Sequence, residues 1–126
     1  MVRSQVIDPL FPTCPIRNVL SRIGDRWSLL VLLKLQGKDK PMRFRDLSKA
    51  IPDVSQKMLT ATLRELEADD LVVRKVYPEI PPRVEYYLTE RGKSLIPLLN
   101  QLVEWSLSNM SDILKSRKKY VKANNK

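Results

Sequence analysis

The stretch from Phe44 to Leu66 leaves this chain few ways to fold. Phe44, Leu47 and Ile51 recur at helical spacing, and Pro52-Asp53-Val54 then stops that helix in a three-residue turn. Ser55 stands where a second helix must begin, and its hydroxyl can accept from the exposed N–H groups of the first turn. Leu59, Leu63 and Leu66, joined by Met58, give this second helix one apolar stripe. The helix is expected to run to about Asp70, roughly 24 Å. Two helices joined by so tight a turn, the second one capped, are the sequence image of a helix-turn-helix.

The flanking segments extend the pattern. A helix beginning near Cys14-Pro15 carries Ile16, Val19, Leu20 and Ile23 at helical spacing and is broken or bent at Gly24-Asp25. Trp27 to Leu35 is apolar almost all round, which predicts a central helix buried on most sides. Met42-Arg43-Phe44 is long enough only for a minimal strand. After the second helix of the motif, residues 71–77 and 83–88 read as strands rich in β-branched and aromatic residues. The prolines of Pro78-Glu79-Ile80-Pro81-Pro82 reject sheet pairing, so a protruding loop, a wing, should join the strands. Thr89 is a plausible cap for a last helix that Pro97 should kink. The fold class expected is α+β, mostly helical. It is a winged helix-turn-helix with a two-stranded wing and long N- and C-terminal helices. Residues 1–13 read as an extended arm, 14–114 as the domain, and 115–126 as a basic, disordered tail.

Composition narrows the chemistry. The chain has 126 residues, no histidine and one cysteine, and its only glycines are Gly24, Gly37 and Gly92. It therefore lacks the commonest general base and metal ligand, and it has no glycine-rich phosphate loop. Neither an enzyme nor a cofactor or metal is expected. The longest apolar run, Leu29 to Leu35, is interrupted by Lys34 and falls far short of the roughly 20 residues of a spanning helix. The N-terminus lacks the pattern of a signal peptide. A lone cysteine suits a reducing compartment, so a cytoplasmic protein without membrane contact is expected. The net charge is +9, but residues 110–126 hold six basic side chains and one acid. Charge alone is thus weak evidence for a polyanionic partner.

The strings Cys14-Pro15-Ile16, Ile23-Gly24-Asp25-Arg26-Trp27, Met42-Arg43-Phe44, Ser55-Gln56-Lys57-Met58-Leu59, Leu63-Arg64-Glu65-Leu66-Glu67, Pro81-Pro82-Arg83-Val84-Glu85-Tyr86 and Leu88-Thr89-Glu90-Arg91-Gly92 stand in one order. Together they resemble the HxlR-type family of bacterial transcription regulators over about residues 14 to 110. One departure is Asp70, where family members often carry glycine before the first wing strand. Aspartate tolerates the left-handed backbone better than most residues.

A protein of this class should lay the second helix of the motif in the major groove of double-stranded DNA. Its candidate contacts are Ser55, Gln56, Lys57, Thr60 and Arg64. Lys57 and Arg64 suit guanine or phosphate, and Gln56 suits adenine. Arg83 at the wing should reach a phosphate or the minor groove, and Arg43 and Arg45 the backbone phosphates. Beyond Pro97 the apolar residues fill two stripes, more than one small domain covers. This points to a homodimer whose interface uses Ile16, Leu20, Leu102 and Trp105, and the resemblance implies the same. Its simplest action is repression by occluding a promoter.

Cys14 has two open readings. It is a redox or electrophile sensor, as in some members of the family, or an inert, half-buried thiol. Trp27, Trp105 and Tyr86 could line a pocket for a small-molecule effector, or simply belong to the core. The rival function is a winged-helix protein-interaction module without sequence-specific DNA binding, which an apolar outer face on the Ser55 helix would favour. A third is binding of RNA or a membrane surface through the tail.

Overall fold

The computed structural model describes residues 20–21, 24–37 and 41–124. The elements are α1 (Arg26–Leu35), β1 (Met42–Arg43), α2 (Phe44–Ala50), α3 (Gln56–Ala68), β2 (Val72–Tyr77), β3 (Arg83–Leu88) and α4 (Glu90–Asn124). The expected central helix is α1. Val31, Leu32 and Leu35 are buried, and Trp27, Leu29, Leu30 and Leu33 pack against the same core. Its end is set by Gly37, whose φ of 66° reverses the chain in the region where a side chain is disfavoured. Leu47 and Ile51 of the α2 segment, Leu59, Leu63 and Leu66 of α3, and Val72, Tyr86 and Leu88 of the sheet close around it.

The sheet has the order β1-β3-β2. Both pairings are antiparallel, with Met42 opposite Tyr86 in one and Val72 opposite Leu88 through Tyr77 opposite Arg83 in the other. Side chains alternate along a strand. Val72, Arg74, Val76, Val84, Tyr86 and Leu88 therefore share one face, the one that meets the helices, while Lys75, Tyr77, Arg83, Glu85 and Tyr87 share the other. Residues 78–82 form the wing tip between the strands.

The junction of α3 with the wing is tightly specified. Leu71 N–H donates to the Leu66 carbonyl at 2.9 Å and Asp70 N–H to that of Glu67 at 3.0 Å. This is the paired bonding of a Schellman cap, and Asp70 occupies its left-handed position at φ 59°. The buried pair Leu66 and Leu71 closes the apolar side of the cap. Asp70 thus fills a glycine position, as expected. Asp70→Ala should be less stable than Asp70→Gly by about 1 kcal/mol. Both variants lose the exposed Asp70–Arg91 ion pair at 3.7 Å, so the difference between their urea midpoints reports the left-handed strain of alanine less glycine's greater entropy in the unfolded chain.

Thr89 joins this junction to the last helix. Its hydroxyl donates to the Asp70 carbonyl at 2.7 Å and accepts from Gly92 N–H at 2.9 Å, capping α4. The helix is one continuous element of 35 residues through Pro97, roughly 52 Å long. Two expectations need correction. Lys115 to Asn124, expected to be disordered, is helical. No glycine or proline follows Pro97, helix-favouring Leu, Lys and Arg are frequent, and basic residues at a C-terminal end complement the helix dipole. Met58, placed in the buried stripe of α3, is 41% exposed, while Thr62 is buried in its stead. At about 100° per residue, position 58 lies to one side of the Leu59–Leu63–Leu66 stripe and position 62 lies closer to its centre. Among the described residues no helix is long and apolar enough to cross a membrane.

Candidate nucleic-acid interface

The outward face of α3 is polar and open. Ser55 Oγ accepts from Met58 N–H at 3.1 Å, the expected cap, and so fixes the start of the helix. Opposite the buried leucines runs the line Lys57, Ala61, Arg64, Ala68, at intervals of four, three and four residues. All four are exposed, as is Gln56, and Thr60 at their flank is half-buried. Among the described residues neither Lys57 nor Arg64 is tied into an ion pair. Their charges are therefore available to a partner. Two alanines on the same line let a surface come close to the helix backbone between the cations, and an alanine methyl suits a thymine methyl.

Two depressions gather further basic residues, one of them on α3. One, of about 370 Å³, is lined by Thr60, Arg64, Glu67, Arg74, Phe44 and Tyr86. It brings Arg74 of β2 beside Arg64, a basic partner that sequence reasoning missed. The signal was there in the alternation. Arg74 is two residues from buried Val72 and so shares its inward face, where a guanidinium must find an opening. The other depression, of about 520 Å³, is lined by Arg43, Arg45, Asp46, Pro82, Arg83 and Val84. It sets the exposed Arg43 and Arg45 at the root of the wing.

Arg83, expected to reach a phosphate or the minor groove, lies against groups of its own wing. Its guanidinium lies 4.0 Å from the Tyr77 ring centroid. Nη2 is 3.4 Å from a Glu79 carboxylate oxygen and Nε is 4.0 Å from one of Glu85. Tyr77 is its cross-strand partner, so the register itself delivers the ring beneath the cation.

The remaining candidates separate into two groups. Cys14 and Ile16 lie outside the described residues. Leu20, Leu102 and Trp105 are exposed at 59%, 49% and 58%. On α4, Leu102 and Trp105 are accompanied by exposed Leu98, Leu107, Met110, Ile113 and Leu114, and only Gly92 and Leu99 of the whole helix are buried. The three aromatics proposed for an effector pocket have three different settings. Trp27 packs on the core, Tyr86 is buried, and Trp105 stands exposed on α4. A cavity of about 660 Å³ has Tyr86 in its wall together with Tyr77, Tyr87, Lys75, Lys93 and Leu35. Neither tryptophan lines it.

A capped helix with two cations on its outward line, preceded by a short helix and followed by a hairpin wing, defines a winged helix-turn-helix DNA-binding domain. The chain belongs to the HxlR-like helix-turn-helix family, whose model matches residues 22–113. It is therefore a DNA-binding transcription regulator. It is 52% identical over 92 residues to an uncharacterized HTH-type transcriptional regulator of Methanothermobacter thermautotrophicus, covering 73% of this chain and 69% of that one. Among solved structures it is similar to the redox regulator HypR in its reduced form. That match has a TM-score of 0.71 at 42% identity, covering 81% of this chain and 98% of HypR. It is also similar to the transcriptional regulator ytfH of Salmonella typhimurium, at a TM-score of 0.76 and 35% identity, over 90% of this chain and 99% of the other.

Proposed function

We propose that this regulator is a cytoplasmic homodimeric repressor that occludes a promoter by occupying a pseudo-palindromic operator. The observation that carries the reading is the exposed basic line Lys57–Arg64, free of ion pairs among the described residues, on the side of α3 opposite its buried leucines. In this reading the N-terminal part of α3 enters the major groove, with Lys57, Arg64 and Gln56 at base edges or phosphate and Ser55 and Thr60 beside them. Arg43 and Arg45 hold the phosphate backbone, and Arg74 adds a charge next to Arg64. An apolar outer face on α3 would favour the interaction-module alternative, and that face is polar.

Dimerisation follows from the apolar length of α4. Leu102 and Trp105 with their neighbours would be covered by a second copy, and the two α3 helices would then address half-sites about one DNA turn apart or a multiple of it. Trp105→Lys should shift the chain from twice its mass toward a monomer in sedimentation equilibrium. An unchanged, concentration-independent mass would argue that α4 is not the interface. The signal is best sought at Cys14, since the similar HypR is a redox regulator solved in reduced and oxidised forms. Selection of bound duplexes from random DNA, with reduced and with oxidised protein, tests the whole proposal. Two inverted half-sites enriched by the reduced protein, and weakened after oxidation, are the expected result. No enrichment over random sequence would remove the operator reading, and equal enrichment by both forms would leave Cys14 inert.

A further inference from the structure

The wing tip carries Ile80, fully exposed, as its outermost apolar group. A lone exposed isoleucine on a pliable loop needs no explanation. Here the exposure is enforced. Pro78 precedes the segment, Pro81 and Pro82 follow it, and each proline fixes its own φ. Glu79 N–H donates to the Tyr77 carbonyl at 2.8 Å, pinning the loop at its start. The side chain is held out in water by a stiff frame.

The same tip offers no free cation. Glu79 is the one charged residue among 78–82, and a bare carboxylate there would be repelled by phosphate. Arg83 answers it from 3.4 Å while stacked on Tyr77. The ion pair leaves the tip close to neutral and its leading surface apolar. The root of the wing shares a depression with Arg43 and Arg45. A duplex strand held by those two arginines would run past the wing. Ile80 lies three positions before Arg83, a reach of at most about 10 Å, more than the roughly 6 Å width of a minor groove.

We infer that Ile80 is the wing's DNA contact, an apolar wedge offered to the minor groove, with Arg83 serving as internal counter-ion to Glu79. Isoleucine and proline are among the side chains that press between base steps from this groove. The wedge would favour A·T pairs, whose minor groove lacks the guanine amino group. The inference rests on the DNA-binding reading and adds a specificity residue to it.

The test uses the full chain and the duplex it selects from random DNA. Each A·T pair flanking the major-groove half-sites is replaced by 2,6-diaminopurine·T, which adds a minor-groove amino group and leaves the major-groove edge intact. Wild-type affinity should fall about tenfold on the substituted duplex, the scale of one mismatched pair. Ile80→Ala should bind the ordinary duplex about tenfold more weakly and be indifferent to the substitution. Ile80→Arg should regain affinity with a steeper salt dependence. Selected flanks that are uniformly G·C, or an Ile80→Ala variant with wild-type affinity and wild-type sensitivity, would overturn the inference while leaving α3 as the reading helix. A wild-type chain that enriches no duplex would overturn both.

Discussion

Lys57→Ala combined with Arg64→Ala should weaken operator binding at least about thirtyfold while leaving the fold intact. Each cation at a base edge contributes about 1–3 kcal/mol. The two positions lie seven residues apart, about 10 Å along the helix, far enough for their effects to add to about 2 kcal/mol or more. Neither side chain is buried, and among the described residues neither is held in an ion pair. Their removal therefore leaves no orphaned partner in the protein, and thermal stability should move by less than about 0.5 kcal/mol. Titration of the selected duplex beside a thermal melt separates the two effects. Unchanged affinity would mean that α3 does not face the groove.

Gly92→Ala should be among the most destabilising single substitutions in the molecule. A methyl group at this position would overlap the Leu71 carbonyl oxygen and lie 3.2 Å from both the Leu71 carbonyl carbon and Leu88 Cδ2. Alanine gains about 1 kcal/mol over glycine in a helix interior. Overpacking typically costs about 1–3 kcal/mol, and overlap with a fixed backbone carbonyl puts this case at the upper end, so the clash wins. Backbone on both sides is committed here, since the Leu71 carbonyl accepts Thr89 N–H at 3.1 Å and Gly92 N–H donates to Thr89 Oγ1 at 2.9 Å. The helix cannot back away without breaking its own cap. The melting temperature should fall by about 10 °C for a chain of this size. A Gly92→Ala protein as stable as wild type would show that α4 is not seated on the first wing strand.

What could be read from sequence here was whatever local chemistry determines. The buried α1 followed from an apolar run with no polar side and the start of α3 from Ser55, while the left-handed Asp70 was expected only from the family resemblance, which puts glycine there. Features that depend on partners brought from elsewhere in the chain were not legible. The surroundings of Arg83 could not be read, because the pairing of Tyr77 with Arg83 places a ring and two carboxylates around it. The alternation from Val72 showed which face Arg74 takes, but not that Arg64 of another element would share its depression once the sheet folds onto α3. The charge of residues 115–126 was read as disorder. Lysine and arginine are also good helix formers, and with no breaker after Pro97 the helix of α4 simply continues.

The central claim is that the outer line of α3 reads bases. Its most direct measurement compares wild type with Arg64→Ala on the selected duplex, changing every base pair in turn and titrating each duplex at fixed salt. Preference should flatten at one position in each of two symmetric half-sites and persist elsewhere. A profile that keeps its shape and merely weakens at every position would contradict base reading by Arg64 and leave it a phosphate ligand.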